Sequence, residues 1–261
     1  MKPVLKLSLW IAAVLLAVLG SQRLKLPRRR ASLEGLEEVG VALAYDRISR
    51  WPQFALMRRI TADYLARLDP SGTLVDIGCG PGLLTSLIAR RFPALQVTGL
   101  DTSKEMVRTA ALNAAAQEPA PRLSFRQGDV GALQEAGASF DFAVSSLSLH
   151  HWSDPLQALA EIHRILTPGG QLVLFDLRRD SPRAFLWLIT LAQNVIVPAA
   201  IRRIGEPTGS LLASYTLAEL GGLMGKSQFE EWKVEGGPVY TFVWARKDDQ
   251  PIEQPASEFL A

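Results

Sequence analysis

The sequence is poor in cysteine and in histidine. Its 261 residues include one cysteine, Cys79, so an internal disulfide is excluded and nothing requires an oxidising compartment. Only three histidines are present, His150, His151 and His163. We expect no metal site. Any histidine chemistry must therefore come from these three side chains.

Acidic residues are absent from the first 30 positions. That stretch holds seven of the 28 basic residues, so the remaining chain carries 21 basic against 26 acidic residues. The body is thus mildly acidic, and the basic character belongs to the N-terminal leader. This distribution argues against a nucleic-acid-binding body, and no nucleic-acid partner is expected.

The leader contains an uncharged run, LSLWIAAVLLAVLG at 7–20. As a helix these residues would span about 21 Å, less than the roughly 30 Å of a hydrocarbon core. Counting from Val4 adds three residues, and the Lys6 ammonium could then reach the headgroups while its stem stays in the apolar layer. Three interpretations remain open: a retained membrane anchor, a cleaved signal peptide, or a hydrophobic helix packed on the domain. The basic residues that follow favour the anchor, with 1–32 as anchor and linker and the body facing the cytoplasm. A soluble cytoplasmic protein is the alternative location.

Short apolar strands alternate with helices through most of the body. Helical character is predicted over 33–68, with a break near Trp51-Pro52, and again over 83–91, 103–117 and 154–166. Strands are predicted at 73–77, 95–100, 123–127, 140–146 and 171–177, with a Pro168-Gly169-Gly170 turn before the last. This alternation predicts an α/β fold in which a parallel sheet is covered by helices on both faces.

The C-terminal part has a different pattern. Thr216 and Glu219 have the spacing of a capping box, which starts a helix to about Gly225. Strands at 229–235 and 239–246 then flank a glycine-rich turn and predict an antiparallel hairpin on the sheet. The domain is predicted to span 33–247, and the polar tail 248–261 is predicted to be disordered.

A glycine-rich loop, VDIGCGPG at 75–82, follows the first strand. A dinucleotide fingerprint requires G-x-G-x-x-G, but Leu83 occupies the position of the third glycine, so an NAD-dependent oxidoreductase is only the alternative. The next two strands end in Asp101 and Asp129. An acid at the first of these ends can accept both hydroxyls of a ribose, and one at the second can accept a hydrogen bond from an adenine amino group.

Together these segments resemble the class I S-adenosylmethionine-dependent methyltransferases. VDIGCGPG resembles the first motif of that family, LQVTGLDTSKEM the second and FRQGDV the third, and the likeness covers about residues 41–245. It is closest to the branch of ubiquinone and menaquinone C-methyltransferases, whose segment before the cofactor loop resembles YDR at 45–47. The resemblance implies a Rossmann-like, seven-stranded, mostly parallel sheet with a C-terminal antiparallel hairpin, in addition to the N-terminal hydrophobic helix.

The resemblance also implies S-adenosyl-L-methionine as cofactor and a set of residues that bind it. It places glycines against the methionyl moiety, Asp76 on the loop or the methionine amino group, and acids on the ribose and adenine. Tyr45 would close over the cofactor, or else simply pack. The implied residues are Tyr45, Asp76, Gly78, Gly80, Gly82, Asp101, Thr102, Met106, Asp129, Val130, Ser145 and Ser146.

His150 and His151 follow the fourth strand, at the edge of the sheet where ligands bind. Histidine titrates near neutral pH, so either residue could deprotonate a phenol, an enol or an activated carbon. The alternative is a loop histidine that is hydrogen-bonded to backbone. We name both as candidate catalytic residues, and we assign His163, inside a predicted helix, to structure.

The acceptor is expected to bind the insertion at 178–227. Within it, residues 184–201 carry no charge and have a narrow polar stripe at Thr190, Gln193 and Asn194. A second membrane span would sever the last strands from the sheet, so a buried lid helix over an apolar acceptor is favoured, and a core helix without bearing on substrate is the alternative. The predicted function is methyl transfer to a small, hydrophobic acceptor such as a quinone, polyprenyl compound or lipid at a membrane. Alternatives are the NAD-dependent oxidoreductase and a methyltransferase-like binding protein without activity.

Overall fold

The computed structural model describes residues 27–30, 38–117 and 122–249. The predicted anchor and most of its linker, and the tail from 250, lie outside these residues. Within them, no helix combines the length and the apolar character needed to cross a bilayer. Asp249 forms an ion pair with Arg246 at 2.9 Å, so contacts with the domain extend two residues past its predicted end.

Nine helices and seven strands are described. The helices are α1 (Val39–Ser49), α2 (Pro52–Ala66), α3 (Leu83–Arg91), α4 (Lys104–Ala115), α5 (Pro155–Ile165), α6 (Arg183–Val195), α7 (Ala199–Arg203), α8 (Thr208–Ala213) and α9 (Leu217–Met224). The strands are β1 (Gly72–Ile77), β2 (Leu95–Asp101), β3 (Leu123–Gln127), β4 (Phe140–Ser146), β5 (Leu166–Leu177), β6 (Glu231–Gly236) and β7 (Tyr240–Arg246). A short 3₁₀ helix, Leu149–His151, follows β4.

All seven strands form one sheet in the order β3-β2-β1-β4-β5-β7-β6. The pairs among β1 to β5 are parallel, whereas β7 is antiparallel to both β5 and β6. The predicted mostly parallel sheet with a terminal hairpin is therefore confirmed. Because the order reverses between β1 and β4, the carboxyl ends of these strands open a crevice where α/β proteins bind their ligands.

Both faces of the sheet are buried beneath helices. Along β5, Leu172 and Leu174 point into one core, which includes α5 and α9, while Val173 and Phe175 point into the other, which includes α2 and α3. This alternation is the period of two that a strand imposes on its side chains. It explains why the central strands are almost continuously apolar.

The predicted helix starts are confirmed by their hydrogen bonds. The Ser103 hydroxyl accepts from the backbone N–H of Met106, and the Asp154 carboxylate accepts from those of Leu156 and Gln157. Thr216 and Glu219 form the complete capping box. These side chains satisfy donors that a helix leaves unpaired in its first turn.

The predicted turn before β5 is wrong as a strand boundary. The strand begins at Leu166, which pairs with Phe140, and the pairing then shifts across an irregularity before Gln171. Gly169 takes a left-handed conformation with φ of 75°, which accommodates the extra residues inside the strand. The backbone N–H of Lys247 donates to the Gly170 carbonyl, so the edge remains paired there.

The predicted burial of a helix at 184–201, as a lid or as part of the core, is wrong, whereas a lid role over the acceptor stays a prediction. Helix α6 contains no buried residue, and it ends near Pro198 before the short α7. Since helices already cover both sheet faces, α6 lies outside them and packs against α8, where Gln193 accepts a hydrogen bond from the backbone N–H of Thr208 at 2.9 Å. Among residues 184–201, only Val197 and Ile201 are buried. Both lie beyond α6, in a separate cluster with α1.

Candidate active site

Loops after the parallel strands meet at one edge of the sheet. The N–H of Gly78 donates to the Leu100 carbonyl at 2.8 Å, which joins the loop after β1 to the end of β2. The N–H of Leu147 donates to the Phe175 carbonyl at 2.8 Å, which joins the loops after β4 and β5. These contacts assemble the residues that the sequence places separately along the chain.

The three glycines of the glycine loop have different surroundings. Gly78, Gly80 and Gly82 all adopt positive φ, at 71°, 52° and 72°. A Cβ on Gly78 would lie 2.2 Å from the Ser148 hydroxyl oxygen, and one on Gly82 would lie 2.7 Å from the Ala110 Cβ. A Cβ on Gly80 would meet only Tyr45, at 3.8 Å. Two glycines therefore serve packing, while Gly80 leaves its backbone open toward Tyr45.

Asp101 ties this loop to the end of β2. Its carboxylate accepts hydrogen bonds from the backbone N–H of Gly80 at 2.8 Å and of Ser103 at 2.9 Å. The residue is 91% buried, with 9% of its surface exposed. The carboxylate thus fixes the open part of the loop and the start of α4 at the predicted ribose position. The ribose contact itself stays a prediction.

Asp76 is a buried acid behind the same loop. It accepts a hydrogen bond from the Thr85 hydroxyl at 2.6 Å and is 1% exposed. The pKa of Asp76 is raised from 3.8 to about 7, mainly because the carboxyl is buried. The hydrogen bond from Thr85 lowers this pKa, and the charge of Asp101 raises it by a smaller amount. At neutral pH the carboxyl is therefore close to half protonated when no ligand is bound.

We expect the Asp76→Asn variant to stabilise the cofactor-free protein at pH 8, by at most about 4 kcal/mol. The folded-state pKa lies above the unfolded one, so between pH 4 and 7 only the folded state holds the proton, and the stability of the wild type falls as pH rises. Asparagine does not titrate, so the difference between variant and wild type should grow over this range. Urea unfolding at several pH values measures it.

The control for this measurement is Asp129→Asn. Asp129 is exposed, and its Oδ1 accepts from the backbone N–H of Gly131 at 2.8 Å, a bond that asparagine can also accept. We expect the free energy of unfolding of this variant to stay within a few tenths of a kcal/mol of the wild-type value at every pH. A gain for Asp76→Asn that is the same at pH 4 and pH 8 would contradict the ionisation argument.

Tyr45 lies beside the glycine loop, on α1. It packs in the cluster of α1 with α7, and its ring faces Gly80. Burial, together with the charges of Glu206, Asp101 and Asp176, raises the pKa of Tyr45 to about 12, although a hydrogen bond with Ser49 lowers it. The side chain is therefore a neutral phenol surrounded by three carboxylates.

The remaining predicted cofactor residues divide between surface and interior. Asp129 and Thr102 are exposed, and Val130 and Ser146 are half-buried. Met106 is completely buried, and the Ser145 hydroxyl donates to the Ile77 carbonyl at 2.8 Å, so both contribute to the interior of the ligand-free fold. Their contacts with a cofactor stay predictions.

His150 is paired with a carboxylate that the sequence reasoning did not single out. Its Nδ1 lies 2.8 Å from Asp176 Oδ1 and 3.0 Å from Oδ2, and its backbone N–H donates to Oδ2 at 3.1 Å. Burial lowers the pKa of His150, but the Asp176 charge and hydrogen bond outweigh it, so the pKa is raised from 6.5. Nε2 is buried without a hydrogen-bond partner. The one available sequence signal was the position of Asp176 at the end of β5.

His151 differs from its neighbour although the two rings lie 4.1 Å apart. Burial, together with the adjacent His150, lowers the pKa of His151 to about 3. This imidazole is neutral at physiological pH and a weak base. Of the two predicted catalytic histidines, His150 is therefore the better proton acceptor. His163, assigned to structure, packs edge-on against Phe229 at 5.1 Å between ring centroids.

Glu206 is a further acid whose charge acts on Tyr45 and His150, and nothing in the sequence indicated it. It precedes α8, is buried, and accepts a hydrogen bond from the backbone N–H of Ser210 at 3.0 Å. Its charge raises the pKa of both Tyr45 and His150. A residue of the segment after β5 therefore acts electrostatically on Tyr45, whose ring faces the glycine loop.

Comparison with known proteins adds three findings. Residues 75–174 match a family model described as a methyltransferase domain. The chain is 38% identical over 126 residues to the O-methyltransferase cnsE of Penicillium expansum, covering 48% of this chain and 45% of that protein. It is 28% identical over 170 residues to the 2-phytyl-1,4-naphtoquinone methyltransferase of Nostoc sp., covering 62% of this chain and 72% of that protein.

A solved structure supports the fold. Phosphoethanolamine N-methyltransferase 2 of Haemonchus contortus, in complex with S-adenosyl-L-methionine, matches 82% of this chain and 58% of its own with a TM-score of 0.60 and 17% identity. Among the curated relatives, this chain spans about half the length or less in several cases, at 45%, 32% and 44%. The part matched by the family model contains the glycine loop, Asp101, Asp129 and His150, and it ends just before Asp176.

Proposed function

We propose that this chain, which contains a class I S-adenosylmethionine-dependent methyltransferase domain, methylates a small molecule whose reacting atom must first lose a proton. The predicted family, enzyme class and cofactor are confirmed for that domain. The observation that carries the rest is the bond between His150 Nδ1 and Asp176, which leaves Nε2 buried without a partner.

The residues at the edge of the sheet fit S-adenosylmethionine. Its sulfonium supplies an activated methyl group and leaves as a neutral thioether, so the leaving group needs no acid. The cofactor is cationic at sulfur and carries no phosphate, which suits a region where the charges of Asp101, Asp176 and Glu206 all act on Tyr45. Gly80 leaves room for the close approach of a ligand to the backbone.

Asp176 gives His150 a defined role. If Nδ1 donates to the carboxylate, the imidazole is held as the tautomer whose Nε2 is a proton acceptor. The same carboxylate stabilises the imidazolium that forms when Nε2 takes a proton. Because methyl transfer itself depends mainly on alignment and exclusion of water, this proton acceptor is required only for an acidic acceptor.

The acceptor we propose is a hydrophobic compound with an ionisable hydroxyl or carbon, such as a reduced quinone. The cluster of α1 with α7 contributes apolar side chains next to Tyr45, including Val41, Val197 and Ile201. The relative from Nostoc is described as a naphthoquinone methyltransferase, which supports the same class. Attachment to a membrane through the N-terminal leader belongs to the same proposal and rests on the sequence of that leader.

Calorimetric titration of the full-length protein with S-adenosylhomocysteine and with NAD tests the cofactor. We expect binding of the former and none of the latter. Methyl transfer from labelled S-adenosylmethionine is then measured on a panel that begins with 1,4-naphthohydroquinone and includes carboxylic acids and amines. Binding of NAD alone would favour the oxidoreductase, and cofactor binding without turnover on any acceptor would favour the inactive binding protein.

A further inference from the structure

One surface of the described chain carries large apolar side chains close together. On α6 and the residue after it, Trp187, Leu191, Val195 and Ile196 are 73%, 54%, 69% and 59% exposed. Trp187, Leu191 and Val195 are spaced four residues apart and therefore share one side of the helix. We call these four residues the α6 face.

We propose that the α6 face lies on an anionic lipid surface, with the helix parallel to the bilayer. The side chains of this face would enter the boundary between headgroups and acyl chains, where tryptophan is favoured. This inference concerns a binding surface and does not depend on the proposed reaction.

Charge is the first argument for this occupant. Residues 181–205 contain three arginines and no acidic residue, although the body as a whole is mildly acidic. Arg183 begins α6, and Arg202 lies against its end, where a guanidinium N–H donates to the Asn194 carbonyl at 3.2 Å. Arg203 has 71% of its side chain exposed and forms a long ion pair, at 3.8 Å, with the exposed Glu38. Positive charge at both ends of an exposed apolar helix complements anionic headgroups.

The position of the N-terminal segment is the second argument. Arg29 donates from Nε to the Ala213 carbonyl at 2.7 Å, and the N–H of Arg30 donates to the Leu212 carbonyl at 3.1 Å. Both acceptors lie on α8, the helix against which α6 packs. Residues 29–30, which follow a leader that is apolar at 7–20 and basic from 23, therefore contact the same helix that α6 packs against.

A second copy of the chain explains the surface less well. A stable dimer buries roughly 800 Å² on each partner, which is more than four side chains along one helix provide. Two copies meeting through this face would also bring their arginines close together. A lipid surface satisfies the apolar side chains and the arginines together.

The test places an environment-sensitive NBD label on the full-length protein at Leu191→Cys. Cys79 is buried, so it should not compete for the label. The control is Leu112→Cys, since Leu112 on α4 is 61% exposed but no other large apolar side chain of that helix is exposed. With phosphatidylcholine vesicles containing phosphatidylglycerol, we expect a blue shift and quenching by spin-labelled lipid at position 191 and neither at position 112.

A second measurement removes the apolar contact in the unlabelled protein. The double variant Trp187→Ser, Val195→Ser should lower the partition coefficient onto anionic vesicles at least tenfold, because it removes most of the apolar area of the face. These positions are exposed, so folding should be unaffected, and circular dichroism checks this.

Four outcomes would overturn the proposal. In the first, vesicles bind the protein while the label at 191 stays in water, which assigns binding to the upstream segment alone. In the second, the label is shielded before vesicles are added, which shows that another part of the chain or a second copy covers the face. The third is an equal shift with neutral vesicles, which removes the role of the arginines. The last is no shift with either kind of vesicle.

Discussion

Replacing His150 by glutamine is expected to lower the turnover rate constant by about 10²–10⁴-fold, the range that loss of a general base usually causes. Glutamine can still donate a hydrogen bond to Asp176, but it has no atom that accepts a proton at the position of Nε2. Since the hydrogen bonds described for His150 run to Asp176 and not to the glycine loop, the dissociation constant for S-adenosylhomocysteine should change less than about threefold. Steady-state assays on the acceptor that turns over fastest give the turnover rate constant, and calorimetry gives the dissociation constant.

Two variants give this experiment its control. Asp176→Asn preserves shape but can hold the imidazole in the wrong tautomer, so it should lower turnover as His150→Gln does, as in the serine protease triad where such a change costs about 10⁴-fold. His163→Gln, on α5, should leave turnover within a factor of two. Retention of the full rate by His150→Gln would contradict the base assignment.

The pH dependence follows from the same residue. A base must be unprotonated, and the pKa of His150 is raised above 6.5 because the attraction of Asp176 outweighs burial. Turnover in the wild type should therefore rise with pH through that raised pKa and then level. NMR titration of the labelled imidazole gives the pKa independently of any acceptor, and a value below 6.5 would contradict the pairing.

The order and ends of the regular elements could be predicted from sequence because each depends on local chemistry. Strands such as Leu123–Gln127 and Phe140–Ser146, and the helix Leu83–Arg91, are bounded by turns that proline, glycine and capping residues mark. The parallel sheet follows from their alternation, since a helix between two strands returns the chain to the same end. The largest error in a strand boundary, at Leu166, arose where a bulge keeps the strand paired through a sequence that is typical of a turn.

The chemistry of the site was predicted in part, for a related reason. Acids at strand ends are visible in a sequence, and Asp101 was found this way. The partnership of His150 with Asp176 was not, because it depends on how β4 and β5 pair in register. Glu206 was missed because it lies in an irregular segment with no periodicity to place it. The apolar run at 184–201 was mistaken for a buried helix because composition does not show that both sheet faces are already covered.

Replacing Asp101 by alanine is expected to raise the dissociation constant for S-adenosylhomocysteine by about 10²–10⁴-fold. The lower part of this range comes from the predicted ribose contact, since a hydrogen bond to a charged group contributes about 1.5–3 kcal/mol. The rest comes from the loop, because the N–H groups of Gly80 and Ser103 would both lose the carboxylate that accepts from them. The open part of the glycine loop would then no longer be held in the conformation that the ligand meets.

Asp101→Asn and Asp129→Ala divide these two contributions. Asparagine retains one acceptor oxygen of similar size, so it should hold the Gly80 or the Ser103 N–H and cost only about tenfold. Asp129 is exposed and accepts a single local bond, so its loss should raise the dissociation constant by about tenfold or less if it meets the adenine amine as predicted. Thermal unfolding without ligand identifies any variant that has lost its fold. A dissociation constant for Asp101→Ala within threefold of the wild type, in a folded protein, would mean that the cofactor does not lie along the end of β2.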